Sequence, residues 1–310
     1  MAGRILVTGG AGFIGSTVAD LFLGTGWEVA VLDDLSTGKR ENVPAGARFY
    51  PCDVRSAAAA EAIQRERPDV LCHQAAQVDV RRSMADPRLD CDVNLGGLLA
   101  VLQTAVRAGV KQVLFASSGG AVYGDTELIP TREDHPARPA SCYGASKAAG
   151  ELYLGVFRQA YGLRSAALRY ANVYGARQDP RGEAGVVAIF CGRLLEGRPC
   201  TVNGDGAQTR DYVYVDDVAR ANLLAAERGF DGALNVGTGV ETDVNAVHAL
   251  LAGAAGVDAR PEFGPAKPGE QRRSCLDASA AARAIGWRPT VGLDDGLART
   301  LAWFRGRPGP

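Results

Sequence analysis

Val7-Thr8-Gly9-Gly10-Ala11-Gly12-Phe13-Ile14-Gly15 decides the fold of this chain. The apolar run Ile5-Leu6-Val7 leads into it, and the spaced apolar residues Phe13, Ile14, Val18, Leu21 and Phe22 follow. These flanks read as a buried strand, a tight turn and a helix. Gly10, Gly12 and Gly15 satisfy the G-x-G-x-x-G spacing, and Gly9, Gly12 and Gly15 fall three apart. Glycines here let the chain turn sharply, bring backbone N–H groups against a pyrophosphate and pack the helix onto the strand. The helix N-terminus then faces the anion. Glycine-rich turns without a ligand are common. The setting, after a buried strand and before a helix, is what points to a dinucleotide.

The next elements repeat the same alternation. A second strand, Glu28 to Leu32, ends at Asp33-Asp34. An acidic residue there can accept both hydroxyls of an adenosine ribose and repels a ribose 2′-phosphate. Asp33 therefore argues for NAD, with Lys39 and Arg40 keeping NADP as the lesser option. A third strand near Ala47 to Tyr50 ends in Cys52-Asp53-Val54, where Asp53 can reach an adenine amino group. Ala57 to Arg67 is helical by composition and stops at Pro68. Asp69 to His73 is a fourth strand running into Gln74-Ala75-Ala76-Gln77, whose small residues let backbone approach a cofactor. Leu89 to Ala108 reads as one long helix capped by Gly109, and Val113 to Ala116 as a fifth strand. A helix from Ser141 to Tyr161 and a sixth strand from Leu163 to Tyr170 follow. The fold class is α/β: a doubly wound parallel sheet of Rossmann type, with ligands at the carboxyl ends of its strands. Beyond Gly175 the elements shorten, which reads as a smaller, interleaved C-terminal substrate lobe. The expected division is 1–172 for NAD binding, with segments near 211–240 returning to it, and 173–310 mainly for the substrate.

Composition narrows the function classes. The chain has 310 residues, 46% hydrophobic and 22% charged, with a formal net charge of −1. That leaves no global basic field for nucleic acid or an anionic membrane. No apolar run looks long enough to span a bilayer, and Met1-Ala2-Gly3-Arg4 enters a strand too soon for a signal peptide. Seven scattered cysteines without a C-x-x-C suggest free thiols and a cytoplasmic location. His73, His135 and His248 lie far apart, so no metal site is expected.

The chemistry sits after the fifth strand, in Ser117-Ser118-Gly119-Gly120 and Tyr143-Gly144-Ala145-Ser146-Lys147. Four residues apart on a helix, Tyr143 and Lys147 share a face. Half-ionising a phenol of ordinary pKa at pH 7 costs about 4 kcal/mol. A nearby ammonium and a positively charged nicotinamide can supply that in a desolvated site. With a hydroxyl from Ser118, the set can take a proton from an alcohol while NAD takes the hydride. Alone, Y-x-x-x-K occurs by chance on many helices. Its place downstream of a dinucleotide turn and a serine-ended strand gives it weight.

These motifs resemble the extended short-chain dehydrogenase/reductases and, within them, the UDP-glucose (UDP-galactose) 4-epimerases. The likeness covers nearly the whole chain. It is carried by Thr8 to Gly15, Asp33-Asp34-Leu35-Ser36-Thr37-Gly38, His73 to Gln77, Val93-Asn94, the serine pair and Tyr143 to Lys147. Arg169 to Gly175 and Asp205 to Asp217 complete it. The resemblance implies catalysis by Ser118, Tyr143 and Lys147. It implies NAD contacts from Gly9, Gly12, Phe13, Ile14, Gly15, Asp33, Ser36, Thr37, Gly38, Asp53 and Val54. Further cofactor contacts would come from Ala75, Ala76, Gln77, Asn94, Ser117, Tyr143, Lys147 and Tyr170. For a UDP-sugar it implies Ser118, Asn172, Val187, Arg210, Lys267, Glu270 and Ser274. Asn172 and Arg210 match residues that hold the diphosphate, a task suited to a guanidinium. Glu270 matches the acid that holds the uridine ribose. Lys267 departs from the family's usual arginine, so Arg272 or Arg273 is expected to share its role.

The implied reaction is NAD-dependent 4-epimerisation through a transient 4-keto sugar, with NAD regenerated in each turnover. Gly119-Gly120 replace the Asp-Glu of the family's 4,6-dehydratases and the Glu of its decarboxylases, so neither elimination nor decarboxylation is expected. Uronate epimerisation, net sugar-nucleotide oxidoreduction and a non-catalytic sensor are the other readings. Ser274 stands where enzymes restricted to plain hexoses tend to carry a bulky Tyr, which implies room for a 2-acetamido group. A homodimer built on the long helices Leu89–Ala108 and Ser141–Tyr161 is implied as well.

Overall fold

Strand β1 (Arg4–Thr8) opens the computed structural model, which describes residues 3–180, 185–266 and 271–306. Then come α1 (Phe13–Gly24), β2 (Glu28–Asp33), β3 (Arg48–Pro51), α2 (Ala57–Glu66), β4 (Val70–His73), α3 (Val80–Ala85), α4 (Pro87–Cys91) and α5 (Gly97–Ala108). Strand β5 (Gln112–Ser118) runs into the short helix α6 (Gly119–Tyr123), then α7 (Cys142–Tyr161), β6 (Arg164–Tyr170) and β7 (Asn172–Tyr174). The remainder is α8 (Val186–Leu195), β8 (Thr201–Asn203), β9 (Thr209–Tyr214), α9 (Val215–Glu227), β10 (Gly232–Val236), β11 (Glu241–Asp243), α10 (Val244–Ala255), β12 (Glu262–Gly264), β13 (Arg273–Ser274), α11 (Ser279–Ile285) and α12 (Leu293–Arg305).

Seven parallel strands form the main sheet in the order β10-β6-β5-β4-β1-β2-β3. Alternation along each strand sorts the core into two layers. Ile5, Val7, Val29, Val31, Leu114 and Leu168 face α1 and α9. Leu6, Leu32, Leu71, Val113 and Phe115 face α2, α5 and α7. Burial on both faces is why these strands read as unbroken apolar runs. The order reverses between β1 and β4, which opens a crevice at their carboxyl ends where ligands bind in such folds.

Helix α4 passes through a π-helical turn, Asp92–Gly96, into α5, making one continuous helix from Pro87 to Ala108. By length and composition this helix is apolar enough to cross a bilayer, which corrects the sequence expectation. Its inner face is spent on α2 and α7, so its apolar character is that of a core helix. Beyond β6, a third cluster gathers Tyr174, Val187, Phe190, Val202, Tyr212 and Leu251 between α8, α10 and α12. A small sheet, β11-β9-β13 with β7 on β9, joins this lobe to the main one.

Candidate active site

The glycine turn folds as its spacing demands. Gly9 has φ +67°, and a Cβ on it would lie 2.6 Å from the Ala75 amide nitrogen. A Cβ on Gly15 would collide with the Gly9 carbonyl. Gly12 caps α1 with extended backbone, and only the Gly9 carbonyl stands near its missing side chain. The first-turn amides of α1, Phe13 and Ile14 among them, have no acceptor within the helix. No acidic side chain sits in that turn to neutralise its positive end. This open cradle fits a pyrophosphate.

Asp33, at the end of β2, is 7% exposed and accepts from the amides of Ala11 (2.9 Å) and Leu35 (2.8 Å). Burial raises its carboxyl above the ordinary value, against those two bonds. Ser36 donates to Asp34 (2.6 Å), Thr37 is exposed, and the Arg40 guanidinium stacks on Phe49. Asp53 is held by the Arg55 side chain, which lowers its carboxyl, and Val54 is buried against Gly97. The Ala75-Ala76-Gln77 loop is braced from behind. The Asn94 amide oxygen accepts from the Gln77 amide (2.8 Å), and its nitrogen donates to the Gln77 carbonyl (3.0 Å) and to Asp90 (3.0 Å). Both ends of Asn94 are thus spent on protein, and it acts as a brace for the loop. Tyr170 is likewise buried, its hydroxyl bonded to Gln74 and Asn222 in the core.

Helix α7 starts at Ser141, whose hydroxyl accepts from the Gly144 amide, and this cap sets Tyr143 and Lys147 against β5. Lys147 is 3% exposed. Its ammonium donates to the Ala116 carbonyl (2.9 Å) and lies 5.7 Å from the Tyr143 ring centre. Burial lowers it to about 8, opposed by the charges of Asp90 and Glu151. Tyr143 is pushed up to about 12, first by burial and then by Asp90. The Lys147 ammonium donates one of its N–H bonds to a carbonyl, and around Tyr143 desolvation outweighs the lowering expected from that ammonium, which leaves the other expected contribution, that of a positively charged nicotinamide, to a bound cofactor. Strand alternation separates the two serines. Ser117 donates to Glu151 (2.6 Å), which also pairs with Arg169, so its hydroxyl is spoken for. Ser118, half-buried at the end of β5, keeps a hydroxyl with no bonded partner among the described residues.

Across the crevice, Asn172 is exposed at the start of β7, and Arg210 lies half-buried on β9 with one N–H on the Thr209 carbonyl (2.8 Å). Strand β13 pairs Ser274 with Arg210. Its neighbours sit directly on the double glycine: Gly119 meets Leu276, Gly120 meets the Ser274 hydroxyl, and Gln271 donates to the Gly124 carbonyl (2.7 Å). A Cβ at Gly119 would press on the end of the Leu276 side chain, and one at Gly120 would stand 3.1 Å from the Ser274 hydroxyl. Arg272 and Arg273 are each engaged with a carboxylate at the exposed side of β13. They form ion pairs with Asp205 and Glu241 that clamp β13 into its sheet. Val187 is 1% exposed in the lobe core, so its side chain cannot line a ligand site. Lys267 and Glu270 lie outside the described residues. Asp90 and Glu151, both behind the reacting groups, escaped the sequence reading. Their signal was helical spacing, Asp90 four before Asn94 and Glu151 four after Lys147.

A family model described as the NAD dependent epimerase/dehydratase family matches residues 5–237. A UDP-glucose 4-epimerase of Mycolicibacterium smegmatis is 46% identical over 98% of this chain and 99% of its own length. Among solved structures, the UDP-glucose 4-epimerase of Thermotoga maritima with UDP-glucose superposes with a TM-score of 0.95. It is 46% identical, covering 97% of this chain and 98% of that one. The UDP-glucose 4-epimerase of Thermus thermophilus in complex with NAD gives a TM-score of 0.93 at 49% identity, covering 98% and 99%.

Proposed function

The chain belongs to the NAD dependent epimerase/dehydratase family, and on that premise we propose that it is an NAD-dependent isomerase inverting C4 of a UDP-hexose, UDP-glucose and UDP-galactose first. One observation carries the reading. Lys147 sits on the Ala116 carbonyl of β5 and 5.7 Å from the Tyr143 ring centre, and Ser118 ends the same strand with a hydroxyl that has no bonded partner among the described residues. The turn Gly9 to Gly15 and the α1 N-terminus hold the pyrophosphate of NAD, Asp33 its adenosine ribose, and Asp53 and Val54 its adenine end. NAD, when bound, accepts the C4 hydride and returns it to the opposite face.

Tyr143 takes the 4-OH proton and later gives it back, and Ser118 holds the reacting oxygen by a hydrogen bond. Lys147 supplies positive charge beneath the phenol. Arg210 and Asn172 hold the diphosphate, with Lys267 and Glu270 at the uridine end. Gly119-Gly120 bring no carboxylate next to Ser118, which speaks against elimination of water. Ser274, seated against Gly120, is small where enzymes restricted to plain hexoses tend to carry a Tyr, and on that ground UDP-GlcNAc and UDP-GalNAc are included as substrates.

The protein works in the cytoplasm as a homodimer, with residues 1–172 and a returning segment near 211–240 for NAD and the rest of 173–310 mainly for the UDP-sugar. Leu152 (75% exposed) and Val156 (55% exposed), one turn apart on α7, form an apolar stripe suited to a second copy. Incubation with UDP-galactose, UDP-GalNAc and UDP-GalA in separate tubes, followed by separation of epimers, tests the assignment. Conversion of the first without net NADH supports it. Net NADH release, conversion of UDP-GalA alone, or full activity in Tyr143→Phe overturns it.

A further inference from the structure

Beside the Tyr143–Lys147 pair lies a carboxylate that has no cationic partner among the described residues. Asp90, 1% exposed on α4, accepts hydrogen bonds from Ser146 Oγ (2.8 Å), Asn94 Nδ2 (3.0 Å) and Gln77 Nε2 (3.1 Å). All three donors are neutral. They come from the catalytic helix, from the π-helical turn and from the loop after β4, so Asp90 is the point where these three segments are tied. A buried acid normally ion-pairs or gives up its charge. Three donated hydrogen bonds satisfy the Asp90 oxygens in place of a cation. Ser146 stands between Tyr143 and Lys147 on α7, so the charge is delivered at the base of that pair.

We propose that Asp90 is a positioning residue of the reaction: it locks the loop after β4 to the catalytic helix, and its unpaired buried charge holds the Lys147 ammonium protonated. The surroundings of Lys147 support this. From β4, His73 is buried and kept neutral, with Thr8 on its Nδ1. From β6, Arg169 is paired with Glu151 and bonded to Tyr123 of α6. On α3, Arg81 and Arg82 are exposed. Glu151, on the helix itself, divides its charge between Arg169 and Ser117. Asp90 is therefore the anion facing Lys147 that no guanidinium neutralises. Burial alone drives Lys147 toward neutrality, and the charge of Asp90 opposes it.

The proposal rests on reading Lys147 and Tyr143 as the proton-handling pair, but its test does not. The chain has four lysines, Lys39, Lys111, Lys147 and Lys267, so NMR of carbon-13 lysine-labelled protein can follow Lys147 individually. In the wild type its midpoint is expected at about 8. In Asp90→Asn it moves lower by about half a pH unit or more, while Asp90→Glu keeps it near the wild-type position. In kinetics, the alkaline limb of kcat/KM moves down in Asp90→Asn, and Ser146→Ala lowers kcat without moving it. An unmoved Lys147 midpoint in folded Asp90→Asn overturns the electrostatic role. If that variant does not fold, Asp90→Ser, which leaves room for water, takes the same reading, and failure of both to fold overturns it in favour of a purely structural role. A shifted midpoint in a protein inactive on every UDP-sugar leaves Asp90 standing and removes the proposed function instead.

Discussion

Replacing Lys147 by Met should make the unliganded protein more stable at neutral pH while removing its activity. Lys147 is 3% exposed, and burial brings its ammonium from the ordinary 10.5 to about 8. The difference corresponds to about 3 kcal/mol of penalty for folding around the charge. The folded-state value lies below the unfolded one, so the penalty is complete below pH 8. It shrinks as pH rises and vanishes above the unfolded value, where both states are neutral. Methionine keeps the length and apolar stem of the side chain and carries no charge. It also forfeits the hydrogen bond to the Ala116 carbonyl, a loss of about 1 kcal/mol that does not depend on charge. Net stabilisation at pH 7 is then about 2 kcal/mol. Urea unfolding of both proteins at a series of pH values reads it directly. The advantage of the variant should fall by about 3 kcal/mol between pH 7 and pH 10.5. A difference that stays flat across that window refutes the reasoning, because it would mean that folding imposes no cost on the charge. Turnover in the variant should drop by about a hundredfold or more, the size of an electrostatic group acting on a proton transfer.

Gly15→Ala should lose NAD from the purified protein and cost about 2 kcal/mol of stability, since its Cβ meets the Gly9 carbonyl; unchanged NAD content, read by absorbance after denaturation, counts against the cradle. Glu151→Gln leaves Arg169 (11% exposed side chain) without its partner and should destabilise by about 3 kcal/mol, measured by chemical unfolding, with loss of less than half of that marking the pair as solvent-screened. Ser274→Tyr should abolish turnover of UDP-GalNAc while retaining that of UDP-galactose, because the new ring stands over Gly120; equal loss on both substrates removes Ser274 as the gate.

Local sequence was sufficient wherever the physics is local. The turn between β1 and α1, with Gly12 capping the helix and Gly15 against Gly9, the strand that closes on Asp33 and the helix that starts beside Ser141 each fold where the sequence places them. Unbroken apolar strands separated by helices likewise determined the parallel sheet, because burial on both faces removes the polar alternation of a half-exposed strand. The helix Pro87–Ala108 was legible as a helix, but its π-helical turn was not, since one extra residue in a turn leaves no compositional mark.

What tertiary structure alone decided concerns groups far apart in the chain. Which serine stays free depended on Glu151, thirty-four residues away, taking Ser117. That Arg272 pairs with Asp205 and Arg273 with Glu241 likewise depended on carboxylates sixty-seven and thirty-two residues away. Val187 reads as a possible lining residue in a linear chain and is buried once α8 packs. The proton affinities of Tyr143 and Lys147 belong to the same class. Their spacing is written in the sequence, whereas desolvation and the charge of Asp90 exist only after α4, α7 and β5 have closed around them. Residue identity sets which groups can react, and the distance-dependent terms that tune them appear only when the chain has removed water from between them.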